Sequence, residues 1–364
     1  MPSTPPTTVE EIRATGTIAP EFAEVWAKSP FPPGSFFTLE DIKEVSKFSL
    51  PQVQATLAKS RPEDLVEKQH FIKLRDSYSS RILVLHREAD LGPKTPARPL
   101  ILLFHGGGHT VGNPEGLVPL AREILKSCPA VIVCASYRLA PQFPFPFSIL
   151  DSWETLEWAA SESRKFRSTV LPLCTDPRVG FLVGGESAGA GLAAELSHLA
   201  RDQGLFPKIT GQFLCCGTFI SPARVPTNYK ERFLSWSENK RAPLLDEDLY
   251  TIFRDAFKPD HDSKLWASFN QHHPADSGTG SVKHGHLEIP RTYFQVCGLD
   301  MARDDSLIYE RVLREECRID TRLDMYAGWP HCWWLNYPQL DMSKKRMSDA
   351  VEGVVWLLES SKKH

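Results

Sequence analysis

The chain has 364 residues, 41% of them hydrophobic and 24% charged, and its formal net charge is -3. These values are typical of a globular protein with a sizeable buried core. Because the charge is nearly balanced, we expect neither a nucleic acid nor an anionic membrane surface as a partner.

The cysteines and the N-terminus indicate the compartment. None of the eight cysteines has C-x-x-C spacing, and Cys134, Cys215, Cys216 and Cys297 lie in apolar runs, so we expect buried, reduced thiols. The first residues lack the basic start and apolar stretch of a signal peptide, and no apolar run reaches the roughly 18 residues of a membrane span. We therefore expect a cytoplasmic protein without a membrane partner, and a homodimer is compatible with this composition.

From about residue 67 onward, short β-rich runs alternate with longer helical patterns, which predicts a mostly parallel sheet with helices on both faces. We predict eight strands, at 70–74, 82–86, 100–104, 130–136, 179–183, 212–219, 292–296 and 322–325. Predicted helices cover 114–127, 149–160, 188–201, 306–316 and 344–358. The basic run Lys344, Lys345 and Arg346 is interpreted as a solvated surface.

Two regions, residues 1–60 and 221–290, interrupt this alternation. The first is rich in proline and phenylalanine, including Phe36, and the second has a helical pattern near 246–257 followed by a polar loop at 272–286. We expect the two regions to form a cap over the carboxyl edge of the sheet, where open α/β folds bind ligands. The core would then comprise 61–220 and 291–364. The alternative is a disordered tail plus a surface insertion.

The pentapeptide Gly185-Glu186-Ser187-Ala188-Gly189 follows the predicted strand 179–183 and opens the predicted helix 188–201. A sharp turn from strand to helix presents a serine nucleophile in strained backbone geometry, and the small residues around Ser187 suit such a turn. The helix N-terminus also stabilises negative charge nearby. A glycine-rich turn with a helix-capping serine is the alternative, but the position after a buried strand favours a nucleophile.

The segment His105-Gly106-Gly107-Gly108 comes directly after the apolar strand 100–104. Glycines let a loop approach a substrate closely, and their backbone N–H groups can point at an oxyanion. We expect the N–H groups of Gly106, Gly107 and Ala188 to form an oxyanion hole. His105 is expected to orient the loop by hydrogen bonding and not to act as a base.

Together with Tyr137-Arg138-Leu139-Ala140-Pro141, these two motifs give the chain a resemblance to the hormone-sensitive-lipase-like branch of α/β-hydrolases, which includes many carboxylesterases. The resemblance extends from about Arg81 to the C-terminus. It implies the α/β-hydrolase fold, with an eight-stranded, mostly parallel sheet flanked by helices and a helical cap. It also implies a serine esterase with Ser187 as its nucleophile, and the phenylalanine-rich N-terminal region favours a small or medium, largely apolar ester as the substrate. The segment 137–146 would support the structure.

In this fold the acid and the base follow the serine along the chain, so both should lie after Ser187. Asp300 is the predicted acid, because it stands where the family has the first residue of D-P-L-x-D, although Met301 and Ala302 replace proline and leucine here. Asp304 and Asp305 compete with it. Since they stand where a helix begins, they are interpreted as capping and dipole partners.

His331 is the predicted base, because Gly328-Trp329-Pro330-His331 lies in a loop after the last predicted strand, as the family's catalytic histidine does. The histidines at 261, 284 and 286 precede the acid, which is the wrong order for this fold. His109 follows the glycine loop at a position where relatives carry an aromatic residue. It is expected either to contact the substrate or to make a structural hydrogen bond.

Other chemistry finds little support, because the sequence has no H-E-x-x-H, no Walker-type phosphate loop and no G-x-G-x-x-G after a strand. We therefore expect no metal and no organic cofactor. Two other functions stay open beside ester hydrolysis. One is an acyl-transfer, cyclising or eliminating enzyme of secondary metabolism that uses the same three residues. The other is a non-catalytic small-molecule receptor of the same fold, against which the presence of His331 argues.

Overall fold

The computed structural model describes residues 5–31, 34, 37–92, 94–166, 168–272 and 285–359. Phe36 and most of the predicted polar loop, residues 273–284, lie outside this part of the chain. Among the helices described, none combines the length and the apolar character that crossing a membrane requires.

One eight-stranded sheet forms the centre of the molecule, as predicted. Its strands are β1 Leu65–Lys73, β2 Ser79–Arg87, β3 Leu100–Phe104, β4 Val131–Ala135, β5 Phe181–Glu186, β6 Gly211–Cys215, β7 Arg291–Leu299 and β8 Thr321–Pro330. Their order is β1-β2-β4-β3-β5-β6-β7-β8. The pairs β1–β2 and β2–β4 are antiparallel and the other pairs are parallel.

The strands differ from prediction mainly in where they end. The sixth strand was predicted to reach Phe219 but stops at Cys215. The reason is that Cys216 takes a positive φ of 42°, which a continuing strand does not allow. The last strand was predicted to end at 325 and the segment 328–331 to form a loop, but β8 continues to Pro330. Because the strands from β5 to β8 are parallel, the carboxyl ends of β5, β7 and β8 meet at one edge of the sheet, with short turns after them.

Ten α-helices surround the sheet: α1 Val9–Ala14, α2 Pro20–Lys28, α3 Leu39–Lys59, α4 Val118–Ser127, α5 Phe147–Glu162, α6 Ala188–Asp202, α7 Ser235–Glu238, α8 Glu247–Phe257, α9 Arg303–Arg311 and α10 Asp341–Glu359 in the described residues. The five helices predicted in the core are all present. The predicted helix 306–316 begins earlier, as α9, and ends in a π-helical turn, Val312–Glu316.

The core has two apolar clusters, one on each face of the sheet. Helices α5, α6 and α9 pack on one face, and α4 and α10 pack on the other. All five residues of β3 and of β4 are buried, because both faces of these strands are covered. This arrangement confirms the predicted fold class.

The three helices near the N-terminus were not predicted. Two of them begin with a capping box, formed by Thr8 with Glu11 at α1 and by Thr38 with Asp41 at α3. Part of this region belongs to the core, because Phe22 of α2 is fully buried and its ring packs against those of Trp329 and Tyr337. The α3 helix is different, since none of its residues is buried.

Two carboxylates at the start of α9 hold the insertion 221–290 to the core. Asp305 accepts a 2.8 Å hydrogen bond from Nε1 of Trp236 in the insertion, and bonds of 3.0 and 2.9 Å from the backbone N–H groups of Phe219 and Ile220 just before it. Asp304 accepts bonds of 2.7 Å from the N–H groups of Leu234 and Ser235. The capping role predicted for the two acids is therefore wrong: α9 has no side-chain cap, and both carboxylates bind backbone outside the helix.

Candidate active site

Ser187 lies in the turn between β5 and α6, with φ 53° and ψ -121°. A non-glycine residue in this region carries backbone strain. The turn is held by a 2.8 Å hydrogen bond from the Ser187 N–H to the Cys215 carbonyl. It also requires glycine next to it, because a Cβ atom at Gly189 would lie 2.0 Å from the Phe104 carbonyl oxygen. The predicted nucleophile therefore has the strained backbone setting that the sequence motif indicates.

The structure brings the predicted base and acid together with Ser187. Nε2 of His331 lies 2.8 Å from Oγ of Ser187, and Nδ1 of His331 lies 2.7 Å from Oδ2 of Asp300. Asp300 is 1% exposed, and its other oxygen accepts a 3.0 Å bond from the Ala302 N–H. This chain of contacts can pass the hydroxyl proton to the imidazole and stabilise the imidazolium that results.

The glycine loop passes next to the nucleophile. A Cβ atom at Gly106 would lie 3.1 Å from Cβ of Ser187, so the backbone can come this close only without a side chain. Among the described residues, no acceptor pairs with the backbone N–H groups of Gly106, Gly107 and Ala188. Donors without partners beside a nucleophile can bind the oxygen of a tetrahedral intermediate.

The predicted supporting segment contacts this loop directly. The ring of Tyr137 stacks on His105 at 4.3 Å, and its hydroxyl donates a 2.8 Å bond to the His105 carbonyl. His105 in turn pairs through Nδ1 with the carbonyl of Gly106 at 2.7 Å. Burial lowers the pKa of His105 to about 4, so the ring is neutral at physiological pH. These contacts fit the expectation that His105 orients the loop.

His109 makes the structural hydrogen bond that the sequence left open, and its contact with a substrate stays a prediction. Its ring is buried, stacks on Phe257 at 4.0 Å, and pairs through Nδ1 with the Ser148 hydroxyl at 3.0 Å. The residue also lines the cavity above Ser187. Burial lowers the pKa of His109 to about 3, which keeps the imidazole neutral.

A cavity of about 540 Å³ opens above Ser187, and both additions to the core contribute to its wall. The α3 helix supplies Ser46, Ser49, Leu50 and Val53, and the α8 helix supplies Leu249, Tyr250, Phe253, Arg254 and Phe257. Most of these side chains are apolar, so the cavity suits a largely apolar ligand. A second cavity of about 480 Å³ shares Leu244, Leu249 and Phe253 with the first.

A buried ion pair behind the nucleophile was not predicted from the sequence. Nη2 of Arg346 lies 2.5 Å from Oε1 of Glu186, and the guanidinium lies 3.9 Å from the centroid of the Trp334 ring. The prediction that Arg346 is part of a solvated surface is wrong, because the residue is 1% exposed. Arg346 lies on the apolar side of α10, and this position could have predicted its burial. The run of three basic residues suggested a solvated surface instead.

The four cysteines predicted to be buried thiols, Cys134, Cys215, Cys216 and Cys297, are buried and reduced. Three of them lie near the base together with Cys332, whose Sγ is 3.3 Å from that of Cys216. This grouping could not be read from the sequence, because its members come from three different segments of the chain.

Comparisons with known proteins agree with this fold. Residues 101–335 match the model of a family described as alpha/beta hydrolase fold. An AB hydrolase superfamily protein of Schizosaccharomyces pombe is 29% identical over 352 residues, which cover 95% of each chain. Versiconal hemiacetal acetate esterase of Dothistroma septosporum is 29% identical over 268 residues, covering 72% of this chain and 75% of the esterase.

Solved structures are similar over nearly the whole length. Vibralactone cyclase superposes with a TM-score of 0.84 and 27% identity, covering 99% of both chains. A bacterial heroin esterase superposes with a TM-score of 0.72 and 21% identity, covering 94% of this chain and 98% of the other. Because the family model spans more than half of the sequence, the chain belongs to the hormone-sensitive-lipase-like, carboxylesterase-like branch of the alpha/beta hydrolase fold.

Proposed function

We propose that the protein is a serine hydrolase that cleaves a carboxylic ester of a small or medium, largely apolar molecule through an acyl-enzyme on Ser187. The observation that supports this most directly is the chain of hydrogen bonds from Ser187 through His331 to Asp300, at 2.8 and 2.7 Å. At the Ser187 end of this chain lie the backbone N–H groups of Gly106, Gly107 and Ala188, which have no acceptor among the described residues.

In the proposed mechanism, Nε2 of His331 accepts the hydroxyl proton while Oγ of Ser187 attacks the ester carbonyl carbon. Asp300 accepts the hydrogen bond from Nδ1, which fixes the orientation of the ring and stabilises its positive charge. The imidazolium then protonates the leaving alcohol, and the same base activates the water that cleaves the acyl-enzyme. No metal or organic cofactor takes part in these steps.

The N–H groups of Gly106, Gly107 and Ala188 are proposed to bind the oxyanion that forms on the carbonyl oxygen. One preorganised donor of this kind typically lowers the barrier by about 2.7 to 4 kcal/mol. The two glycines come from the loop after β3 and Ala188 begins α6, so the donors approach the oxyanion from two elements.

We also propose that residues 1–60 and 221–290 act as the cap over the core segments 61–220 and 291–364. The wall of the cavity supports this division, because α3 and α8 come from these two regions and both line it. The apolar wall also supports the choice of an apolar ester over a polar one.

A cyclising enzyme is the second candidate, supported by the 99% coverage of vibralactone cyclase at 27% identity. In that reaction a group of the substrate itself would replace water in attacking the acyl-enzyme. The two functions differ in product, because hydrolysis adds the elements of water and cyclisation does not. Mass spectrometry of the product formed from a hydroxy ester would distinguish them.

The decisive test combines turnover of a p-nitrophenyl acyl ester with fluorophosphonate labelling. Wild-type protein should cleave the ester and be labelled at Ser187, and kcat should fall about 10⁶-fold in Ser187→Ala. Labelling should also fall sharply in His331→Ala while the circular dichroism spectrum stays unchanged. Turnover that survives Ser187→Ala would refute the mechanism, and absence of both labelling and turnover of any ester would favour the receptor.

A further inference from the structure

Four cysteines gather beside the predicted base, and the proposed mechanism uses none of them. Cys215 and Cys216 stand at the carboxyl end of β6, Cys297 lies in β7, and Cys332 directly follows His331. The Sγ atom of Cys216 is 3.3 Å from that of Cys332 and 3.9 Å from that of Cys215. Three separate segments of the chain therefore bring their sulfur atoms to one place.

The group has the donor atoms of a metal site. Sγ of Cys216, Sγ of Cys332 and a ring nitrogen of His331 all lie within 4.8 Å of one another. Two thiolates and an imidazole are ligands that Zn²⁺ and similar thiophilic cations prefer. Two sulfur atoms that each bind tetrahedral Zn²⁺ at about 2.3 Å are roughly 3.8 Å apart. Cys216 and Cys332 would thus have to separate by only about 0.5 Å.

Charge and access also fit a divalent cation. Binding displaces one proton from each of the two thiols, and the two thiolates then balance the charge of the cation. A complex without net charge is the kind that a buried position tolerates. The cation can enter by the route that the substrate takes, because His331 and Cys332 both line the cavity above Ser187.

We propose that Cys216, Cys332 and His331 form a binding site for a thiophilic divalent cation, Zn²⁺ or Cd²⁺, and that occupation of this site stops ester cleavage. The inhibition follows with either ring nitrogen of His331: a cation on Nε2 would occupy the base itself, and a cation on Nδ1 would displace Asp300 and leave the ring proton on Nε2, which then cannot accept the Ser187 proton. The inhibition rests on the proposed function, whereas the binding does not.

The test is a titration of the full-length protein with Cd²⁺ in the presence of a phosphine reductant, which keeps the thiols reduced. One equivalent should produce the ultraviolet absorption of cadmium thiolate, and should abolish both fluorophosphonate labelling and p-nitrophenyl acetate hydrolysis. A chelator should restore both activities. Zn²⁺ should compete with Cd²⁺ for the site and remove the absorption.

Substitution of the sulfur ligands identifies the site. Cys216→Ser and Cys332→Ser should each weaken Cd²⁺ binding and inhibition at least about tenfold, a typical loss when the environment of a metal is altered. Cys216→Ala and Cys332→Ala provide the same comparison if a buried serine prevents folding. Cys174→Ser is the matched control, because Cys174 is also buried but is not part of the group, and it should respond like wild type.

Each result has a distinct meaning. Absence of the cadmium-thiolate absorption, or an unchanged response in both Cys216 and Cys332 variants, would overturn the proposed site. Absorption without loss of labelling would overturn the part played by His331. If the untreated protein cleaves no ester but the absorption appears and depends on the two cysteines, the metal site stands and the proposed function fails.

Discussion

Asp300 and Asp304 are only four residues apart in the chain, yet their carboxylates bind different parts of the molecule. Asp300 accepts a hydrogen bond from His331, whereas Asp304 accepts two from the backbone of the insertion. Asp300→Asn should therefore lower kcat strongly, by about 10⁴-fold in a well-studied protease with the same three residue types. Asp304→Asn should leave kcat close to wild type and lower the free energy of unfolding by about 1–3 kcal/mol.

Kinetics with a p-nitrophenyl ester and urea denaturation of both variants would check this contrast. A large loss of kcat in Asp304→Asn alone would show that the acid was assigned to the wrong carboxylate. Equal losses in two folded variants would mean that the geometry does not distinguish their roles.

The two buried histidines near the glycine loop should make stability depend on pH. Burial lowers the pKa to about 4 for His105 and to about 3 for His109, so below pH about 6.5 only the unfolded chain takes up these protons. The contribution of these two neutral histidines to the free energy of unfolding is therefore fully present above about pH 6.5 and decreases as the pH falls below that value. At pH 5 each histidine should contribute a loss of about 2 kcal/mol.

His109→Phe isolates one of these contributions. The decrease in unfolding free energy between pH 7.5 and pH 5 should be about 2 kcal/mol smaller in this variant than in wild type, as measured by urea denaturation. Comparing the two decreases removes any effect that the lost Ser148 contact has at both pH values. An equal decrease in both proteins would contradict the burial of a neutral imidazole at this position.

The sequence was most informative about residues whose role depends on the backbone conformation of their immediate neighbours in the chain. The motifs around Ser187 and after β3 could be recognised because strand, turn and glycines are neighbours in the chain. The catalytic roles of Ser187, Asp300 and His331 stay a prediction, although the structure places the three in contact. The partner of Glu186 could not be predicted, because Arg346 lies 160 positions away and its helical spacing indicates burial but not which carboxylate it meets.

At the scale of elements, α8 connects the insertion with the N-terminal region. Its N-cap residue, Asp246, accepts a 2.8 Å bond from the Leu249 N–H and a 2.9 Å bond from the Gly34 N–H. Asp246→Ala should cost about 1 kcal/mol for the lost cap and should raise KM, because α8 lines the cavity. Asp248→Ala is the control, since Asp248 forms only an exposed ion pair with Arg241 in the described structure.

Measured KM values and urea denaturation would test this. The control should stay within about 0.5 kcal/mol of wild type. If both variants behave alike, Asp246 does not organise the wall of the cavity.

The α3 helix offers a sharper test of the cap than removal of the N-terminus, which would also delete the buried Phe22. Leu50 of α3 lines the cavity, while Phe48 on the same helix is 77% exposed. Leu50→Ala should lower kcat/KM for an apolar ester by about tenfold, because truncation in a hydrophobic pocket costs about 1–3 kcal/mol. Phe48→Ala should have no effect, and similar kinetics for both variants would count against the cap.

Elements that depend on strong local patterns were predictable, and those that depend on packing were not. The eight strands appear as short β-rich runs, so all were found, with ends that tertiary context moved. The α3 helix was missed because its exposed surface removes the apolar periodicity and Pro51 lies inside it. Its capping box, Thr38 with Asp41, was the available signal.

For the whole molecule, Phe22 shows that the N-terminal region is part of the fold and not only a cover. Phe22→Ala should lower the free energy of unfolding by about 3–5 kcal/mol, since it empties a fully buried site next to Trp329 and Tyr337. Phe206→Ala, at a position that is 62% exposed, is the control. Guanidinium denaturation would measure the free energy of unfolding of both variants. A decrease below about 1 kcal/mol in Phe22→Ala would show that α2 is not part of the core.

The contact between the α1–α2 region and β8 also sets an order of assembly. The Thr15 carbonyl accepts a hydrogen bond from the Gly328 N–H, and the Gly328 carbonyl accepts one from the Ala19 N–H. On the ribosome, α1 and α2 must therefore wait for β8 before they can dock on it, with Phe22 exposed meanwhile. Because Gly328 is three residues before His331, the emergence of β8 would also complete the candidate site, whose residues could not meet in a shorter nascent chain.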